Sequence, residues 1–323
     1  MFKFAGIFKN AATNTIPAHI IKLKLTLLIM NENLKGALYI AIGACSYGVL
    51  ATFVKVANNE GIGTGGLAFA QYFFGAVVLT VLSYLFSRKT EKSLDKSSGK
   101  NPKLKLILFG TFLGLTSSFY YLSIQYVPVS VGIILLMQTI WMGVALEFIM
   151  ARHLINSTKV IGAVVALIGT ALAAKVFESD IELDLTGIGF GLLAAASYTG
   201  VMYGTSRISL ELPVWIRTKY FVYGGLLIII LFWNVQIIED FDFWTLLKWG
   251  SFLGFFGTIL PPVLFSKGMP RTGTGLGSII SALEIPVSVY SAYLLLNEDI
   301  SYLQWLGIAI ILIAVVLINR KRL

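Results

Sequence analysis

Glu284 is the residue in this chain best placed to do chemistry. It stands in the middle of GLGSIISALEIPVSVYSAYLLLNE, Gly275 to Glu298, an apolar run long enough to cross a bilayer. A charge at the centre of such a helix costs roughly 2.5 to 3.5 kcal/mol on insertion scales, so it faces a bundle interior or a wet cavity. Desolvation there favours the neutral carboxyl, which suits a proton carrier; the competing reading is a lasting ion pair with Lys219 or Lys267 that glues helices together. Pro286 removes a backbone donor two residues on, so the chain beside Glu284 is irregular and partly polar. Lys219 faces the same choice of roles, or snorkels to the near membrane face.

Other polar and aromatic residues fall at mid-segment positions. Ser46, Tyr47, Ser197 and Tyr198 occupy equivalent places in two apolar segments and fit either a cavity wall or interhelical hydrogen bonding. Gln71, Tyr120, Tyr121, Gln138, Trp141, Ser281 and Tyr290 offer polar and aromatic faces to an organic solute, or ordinary packing and an interfacial belt. Glu147, close to Arg152, reads as a salt-bridge partner. The single cysteine, Cys45, and the far-separated His19 and His153 provide neither a disulfide framework nor a metal site. The glycine-rich stretch Arg271 to Gly277 lacks the lysine and strand context of a phosphate-binding loop, so no nucleotide cofactor is expected.

The elements that must hold these residues are membrane helices. At 57% hydrophobic and 13% charged, against about 25% charged in soluble domains, the 323 residues read as an all-α integral membrane protein. Ten apolar segments follow one another, approximately 34–57, 67–86, 104–124, 129–148, 158–177, 185–206, 213–234, 245–266, 274–296 and 302–318. Residues 1–33 form a basic leader with Pro17 in it and no run long enough to span. It is either an interfacial segment or a stretch upstream of a natural start at Met30.

The net charge of +9 sits in short connections between apolar runs, which argues for topology signals and against nucleic acid. Arg88 to Lys105, Arg152, Lys159, Arg207, Lys267, Arg271 and Arg320 to Arg322 alternate with acidic connections around Glu178 to Asp184, Glu239 to Asp242 and Glu298–Asp299. The bias predicts both termini in the cytoplasm of a multi-pass protein of the bacterial inner membrane.

The two halves repeat. Ser46–Tyr47 and Ser197–Tyr198 match at an offset of 151, Gly110 to Gly114 matches Gly250 to Gly254, Gln71-Tyr72-Phe73 matches Lys219-Tyr220-Phe221, and Gly162 matches Gly307. With five segments per unit the second copy enters from the opposite face. This predicts inverted repeats over 34–177 and 185–318, joined by an acidic linker over 178–184 and followed by a basic tail over 319–323.

On these residues the chain resembles the drug/metabolite transporter superfamily, of EamA type, over residues 34 to 320. The most specific piece is Leu283-Glu284-Ile285-Pro286, then Asn297-Glu298, then Gly307. It departs from the family pattern in the inserted Ile285, in Asn297 for glycine, and in Gln138 to Trp141, which has no proline. The resemblance implies a secondary transporter, not an enzyme. It would export small organic metabolites such as amino acids by alternating access, with protons as a coupling ion, as a monomer or homodimer in the lipid bilayer. Uptake or exchange of a related solute is the alternative; a membrane enzyme or a structural subunit fits less of the pattern.

Overall fold

The structure, a computed structural model, describes residues 32–94, 101–127, 129–151, 157–173, 184–239, 242–296 and 300–320. Nearly all of the leader and the acidic linker, and the end of the basic tail, lie outside the described residues. Among those described, every regular element is helical. In lipid, backbone groups have no water to bond, and a helix satisfies them within one segment.

The first half comprises α1 (Glu32–Asn59), α2 (Thr64–Leu94), α3 (Pro102–Tyr126), α4 (Val129–Leu136), α5 (Thr139–Ala151) and α6 (Ser157–Ala173). The second comprises α7 (Leu185–Arg207), α8 (Val214–Phe232), the short α9 (Asn234–Glu239), α10 (Phe243–Leu253), α11 (Leu260–Thr272), α12 (Thr274–Ser281), α13 (Glu284–Leu296) and α14 (Tyr302–Arg320). A π-helical stretch, Gly254–Ile259, joins α10 to α11. Among the described residues, eight stretches are long and apolar enough to cross a membrane, one of them 131–150, which runs through α4 and α5. The fifth and tenth segments expected from sequence are the two shorter apolar helices, Ser157–Ala173 and Tyr302–Val316.

Local chemistry sets where the helices start and break. Asp184 accepts from the backbone N–H groups of Thr186 and Gly187 to cap α7, and Asp242 accepts from that of Thr245 to cap α10. Hydrogen bonds from Thr186, side chain and then backbone, hold the Asp184 carboxyl below its ordinary range. The fourth and ninth segments break at matching places, Met137–Gln138 and Ala282–Leu283, through tight i to i−3 turns. Pro286 leaves the Ala282 carbonyl without its helical donor at the second break. At the first, the Gln138 side chain supplies the bond that a broken backbone lacks, its Nε2 donating to the Ile134 carbonyl at 3.1 Å. Adjacent Pro261 and Pro262 likewise deny donors to the carbonyls of Gly257 and Thr258, which accounts for the wide turn just upstream.

The helices pack as two exchangeable sets. α3 lies against α7 and α8, and its counterpart, α10 with α11, lies against α1 and α2; α6 packs on its own counterpart, α14. Bare glycine makes the closest approaches possible: a Cβ on Gly110 would strike the Phe221 carbonyl, and one on Gly224 the Ile107 carbonyl. Gly250 meets Ala70 in the equivalent crossing, and Gly254 meets Phe74 where Gly114 meets Gly225. These contacts make Ala70 equivalent to Phe221 and Phe74 to Gly225, the offset of 151 already seen between α1 and α7. The sequence match of Gln71 with Lys219 is therefore out by three residues, and in space Gln71 corresponds to Val222.

Candidate functional site

A cavity of about 190 Å³ opens between the two halves. One face of α1 lines it with Tyr47, Leu50, Val54, Lys55 and Asn58, and one face of α3 with Leu113, Thr116, Ser117, Tyr120, Tyr121 and Ile124. Both sets follow helical spacing. α2 contributes Gln71 and Tyr72, the π-helical turn Gly257, α7 Tyr198, and α13 Glu284, Ile285 and Ser288. The mouth lies at the end of α1 that carries Lys55 and Asn58.

At the floor, Tyr47 and Tyr198 meet edge to face with ring centroids 6.3 Å apart, one from each half. The break before α13 sets the Glu284 side chain beside them, and α1 comes close there because a Cβ on Gly48 would strike the Glu284 carbonyl oxygen. Glu284 Oε2 and the Tyr198 hydroxyl are buried with no hydrogen-bond partner, whereas Tyr72 donates to the Leu113 carbonyl at 3.0 Å and pairs with Ser117 at 2.9 Å. Glu284 takes part in none of the ion pairs among the described residues, so the competing reading of a lasting pair with Lys219 or Lys267 finds no such pair there. A buried polar atom without a partner is uncommon, and here a donor and an acceptor share one cavity.

Six of the thirteen expected site residues line this cavity: Tyr47, Gln71, Tyr120, Tyr121, Tyr198 and Glu284. Seven do not. Ser46 donates to the Phe256 carbonyl at 2.6 Å, and Ser281 to the Ser278 carbonyl at 2.7 Å. Gln138 accepts from Trp141 Nε1 at 2.9 Å while closing its own helix break, and Trp141 is 46% exposed on the outer surface. Tyr290 is likewise on the outside, beside Tyr293. Ser197 is buried away from the cavity, and Lys219 is buried near the start of α8 with Nζ 4.6 Å from the Tyr220 ring centre. Sequence reasoning missed Tyr72, Lys55, Asn58, Thr116 and Ser117; the spacing from Tyr47 along α1 and from Leu113 along α3 was the signal for four of them.

The opposite end is shut. Glu32 joins Arg271 across the halves at 2.8 Å. Glu147 holds Lys159 at 2.6 Å and accepts from the Gly275 N–H at 3.0 Å, tying α5 to the start of α12. The salt-bridge role expected of Glu147 is thus met by Lys159, while the nearby Arg152 lies outside the described residues. Arg217, 4% exposed, donates to the carbonyls of Thr205 and Ser266 and so staples α8 to α7 and α11.

The model of the EamA-like transporter family matches this chain twice, over residues 34–174 and 185–320. The chain belongs to that family. Among its relatives are the threonine/homoserine exporter RhtA of Salmonella typhimurium strain SL1344, 25% identical over 67% of this chain and 70% of the relative, and that of Escherichia coli K12, 24% identical with the same coverage. A solved crystal structure superposes with a TM-score of 0.67 at 14% identity, over 88% of this chain and 97% of that one, which shows a shared fold. The EamA-like chain is thus a multi-pass membrane transporter of small metabolites, not an enzyme.

Proposed function

We propose that this protein is a secondary transporter that exports a small amino-acid-like solute across the bacterial inner membrane by alternating access, with Glu284 as its proton-coupling group. The observation that carries the reading is the cavity floor, where one unpaired carboxylate stands among tyrosine rings. A primary ammonium would find a charge partner in Glu284 and aromatic faces in Tyr47, Tyr120 and Tyr198, while the Tyr198 hydroxyl would donate to a carboxylate or carbonyl oxygen. At about 190 Å³ the space falls below the roughly 300 to 1,000 Å³ of sites for drug-sized ligands, which favours a solute of few heavy atoms. The shut end carries Lys35, Lys159, Arg207, Arg217 and Arg271, so the positive-inside bias makes that end cytoplasmic and turns the cavity outward.

The test is counterflow of labelled amino acids in proteoliposomes containing the purified protein, with and without a proton gradient. Saturable exchange, with accumulation driven by the gradient, is the expected result. Absence of exchange for every amino acid and small amine tried would overturn the substrate class, and exchange with no response to the gradient would overturn the coupling.

A further inference from the structure

Beneath the cavity floor, towards the shut end, lies a seam of buried hydroxyls. Thr139 and Thr199 share a hydrogen bond of 2.9 Å across the halves, Ser206 and Thr274 share another of 2.9 Å, and Ser278 donates to the carbonyls of Ile140 and Gly275. Ser281 closes the row against Ser278. All six side chains are at most 5% exposed. Such groups satisfy one another at the expense of apolar packing; two of the bonds, Thr139 with Thr199 and Ser278 to the Ile140 carbonyl, cross between the halves, and Ser206 with Thr274 joins two helices of the second.

The repeat gives the seam its meaning. With the offset of 151 between α1 and α7, Ser206 corresponds to Lys55 and Thr205 to Val54. With the offset of 145 between the two broken segments, Ser278 corresponds to Ile133, Ser281 to Leu136 and Thr139 to Glu284. Four of the six seam residues therefore have counterparts in the lining of the present cavity, Lys55, Ile133, Leu136 and Glu284, as does the neighbouring Thr205 in Val54. Both registers hold in space together, because the contact of Gly48 with Glu284 recurs as that of Thr199 with Thr139. The unpartnered Tyr198 hydroxyl, 4% exposed, stands where cavity and seam meet.

We infer that this hydroxyl seam is the second half of the solute path, closed here and opened when the two repeats exchange conformations. The inference rests on the transporter reading and adds the residues and chemistry of the other access state. Glu284 is replaced there by Thr139, so the solute meets a carboxylate from one face of the membrane and, at the equivalent position, a neutral hydroxyl from the other, with the nearby Arg217 guanidinium engaged by the Thr205 and Ser266 carbonyls. The second half therefore suits a small polar solute held by hydrogen bonds, with its ammonium passed on to Glu284 only at the floor.

Cysteine labelling tests this. Ser206→Cys and Ser281→Cys, each in a chain carrying Cys45→Ala, are exposed to a membrane-impermeant thiol reagent from either face of oriented vesicles, with Leu50→Cys as marker of the present cavity. Variants are used only as single purified species with unchanged melting. Leu50→Cys should react from the cavity face, and the two seam cysteines from the opposite face. Adding Glu147→Gln, which weakens the tie to Gly275 and Lys159, should speed the seam cysteines on the order of tenfold and slow Leu50→Cys. Amino-acid counterflow in the same vesicles separates the two ways of failing. Exchange without opposite-face labelling in the Glu147→Gln background, or labelling of the seam from the cavity face, overturns the inference alone; absence of both exchange and labelling overturns the transporter reading with it.

Discussion

Glu284 and Tyr198 present a buried acceptor and a buried donor that the protein itself leaves without partners, and this decides what their removal should do. Glu284→Gln keeps the shape and removes the charge without stranding a cation, so its thermal stability should stay near that of the parent. Gradient-driven accumulation should vanish while counterflow survives, because exchange needs rocking but no net proton release. A large fall in melting temperature, restored by Lys219→Met, would instead reveal an ion pair. Tyr198→Phe should leave melting unchanged and weaken solute binding about fivefold, the worth of roughly 1 kcal/mol for one hydrogen bond. Tyr72→Phe should do the reverse, losing about 1 kcal/mol of stability with the bonds to Leu113 and Ser117. Melting curves beside binding isotherms check both. Glu284 and the Tyr47–Tyr198 pair were legible in sequence, because a charge at mid-segment depth and a repeated dipeptide are local signals. Trp141 and Tyr290 were misplaced for a physical reason: position along an apolar segment gives depth, but with lipid outside and apolar protein inside, composition says little about which way a side chain faces.

The helix crossings rest on absent side chains. Gly110→Ala would drive a methyl group into the Phe221 carbonyl and should cost about 1 to 3 kcal/mol, whereas Gly189→Ala enters open space and should cost nothing measurable. Thermal denaturation in detergent compares the two, and equal melting points would show that α3 and α8 are not held as closely as described. The paired breaks were half legible. Pro286 announced the second, but the first has no proline, and only its structure reveals that Gln138 bends back to the Ile134 carbonyl to complete it. The double proline at Pro261 and Pro262 was in plain view, yet its effect appears upstream, as a widened turn that presents bare Gly257 to Gln71.

Across the whole molecule, the duplication was readable from four short matches, and three of them keep their register in the folded chain. The fourth failed because Gln71-Tyr72-Phe73 and Lys219-Tyr220-Phe221 share two aromatics by coincidence, one helical turn away from the true equivalence that the glycine contacts fix. Which end is open was not legible, since near-equal halves support either arrangement and the balance lies in ties such as Glu32–Arg271 and Glu147–Gly275. Orientation remains a prediction from charge: reporter fusions after Arg88 and after Arg320 should read cytoplasmic and one after Asp180 periplasmic, and a periplasmic C-terminus would reverse the assignment. The tyrosine-walled cavity, open at one end and stopped below by the Tyr47–Tyr198 crossing, also makes the protein vulnerable. An aryl ammonium too wide to pass that crossing would lodge against Glu284 like a cork, hold the halves apart at the mouth and block every later cycle. Such a compound would act as a one-sided inhibitor, potent from the periplasm and inert from the cytosol.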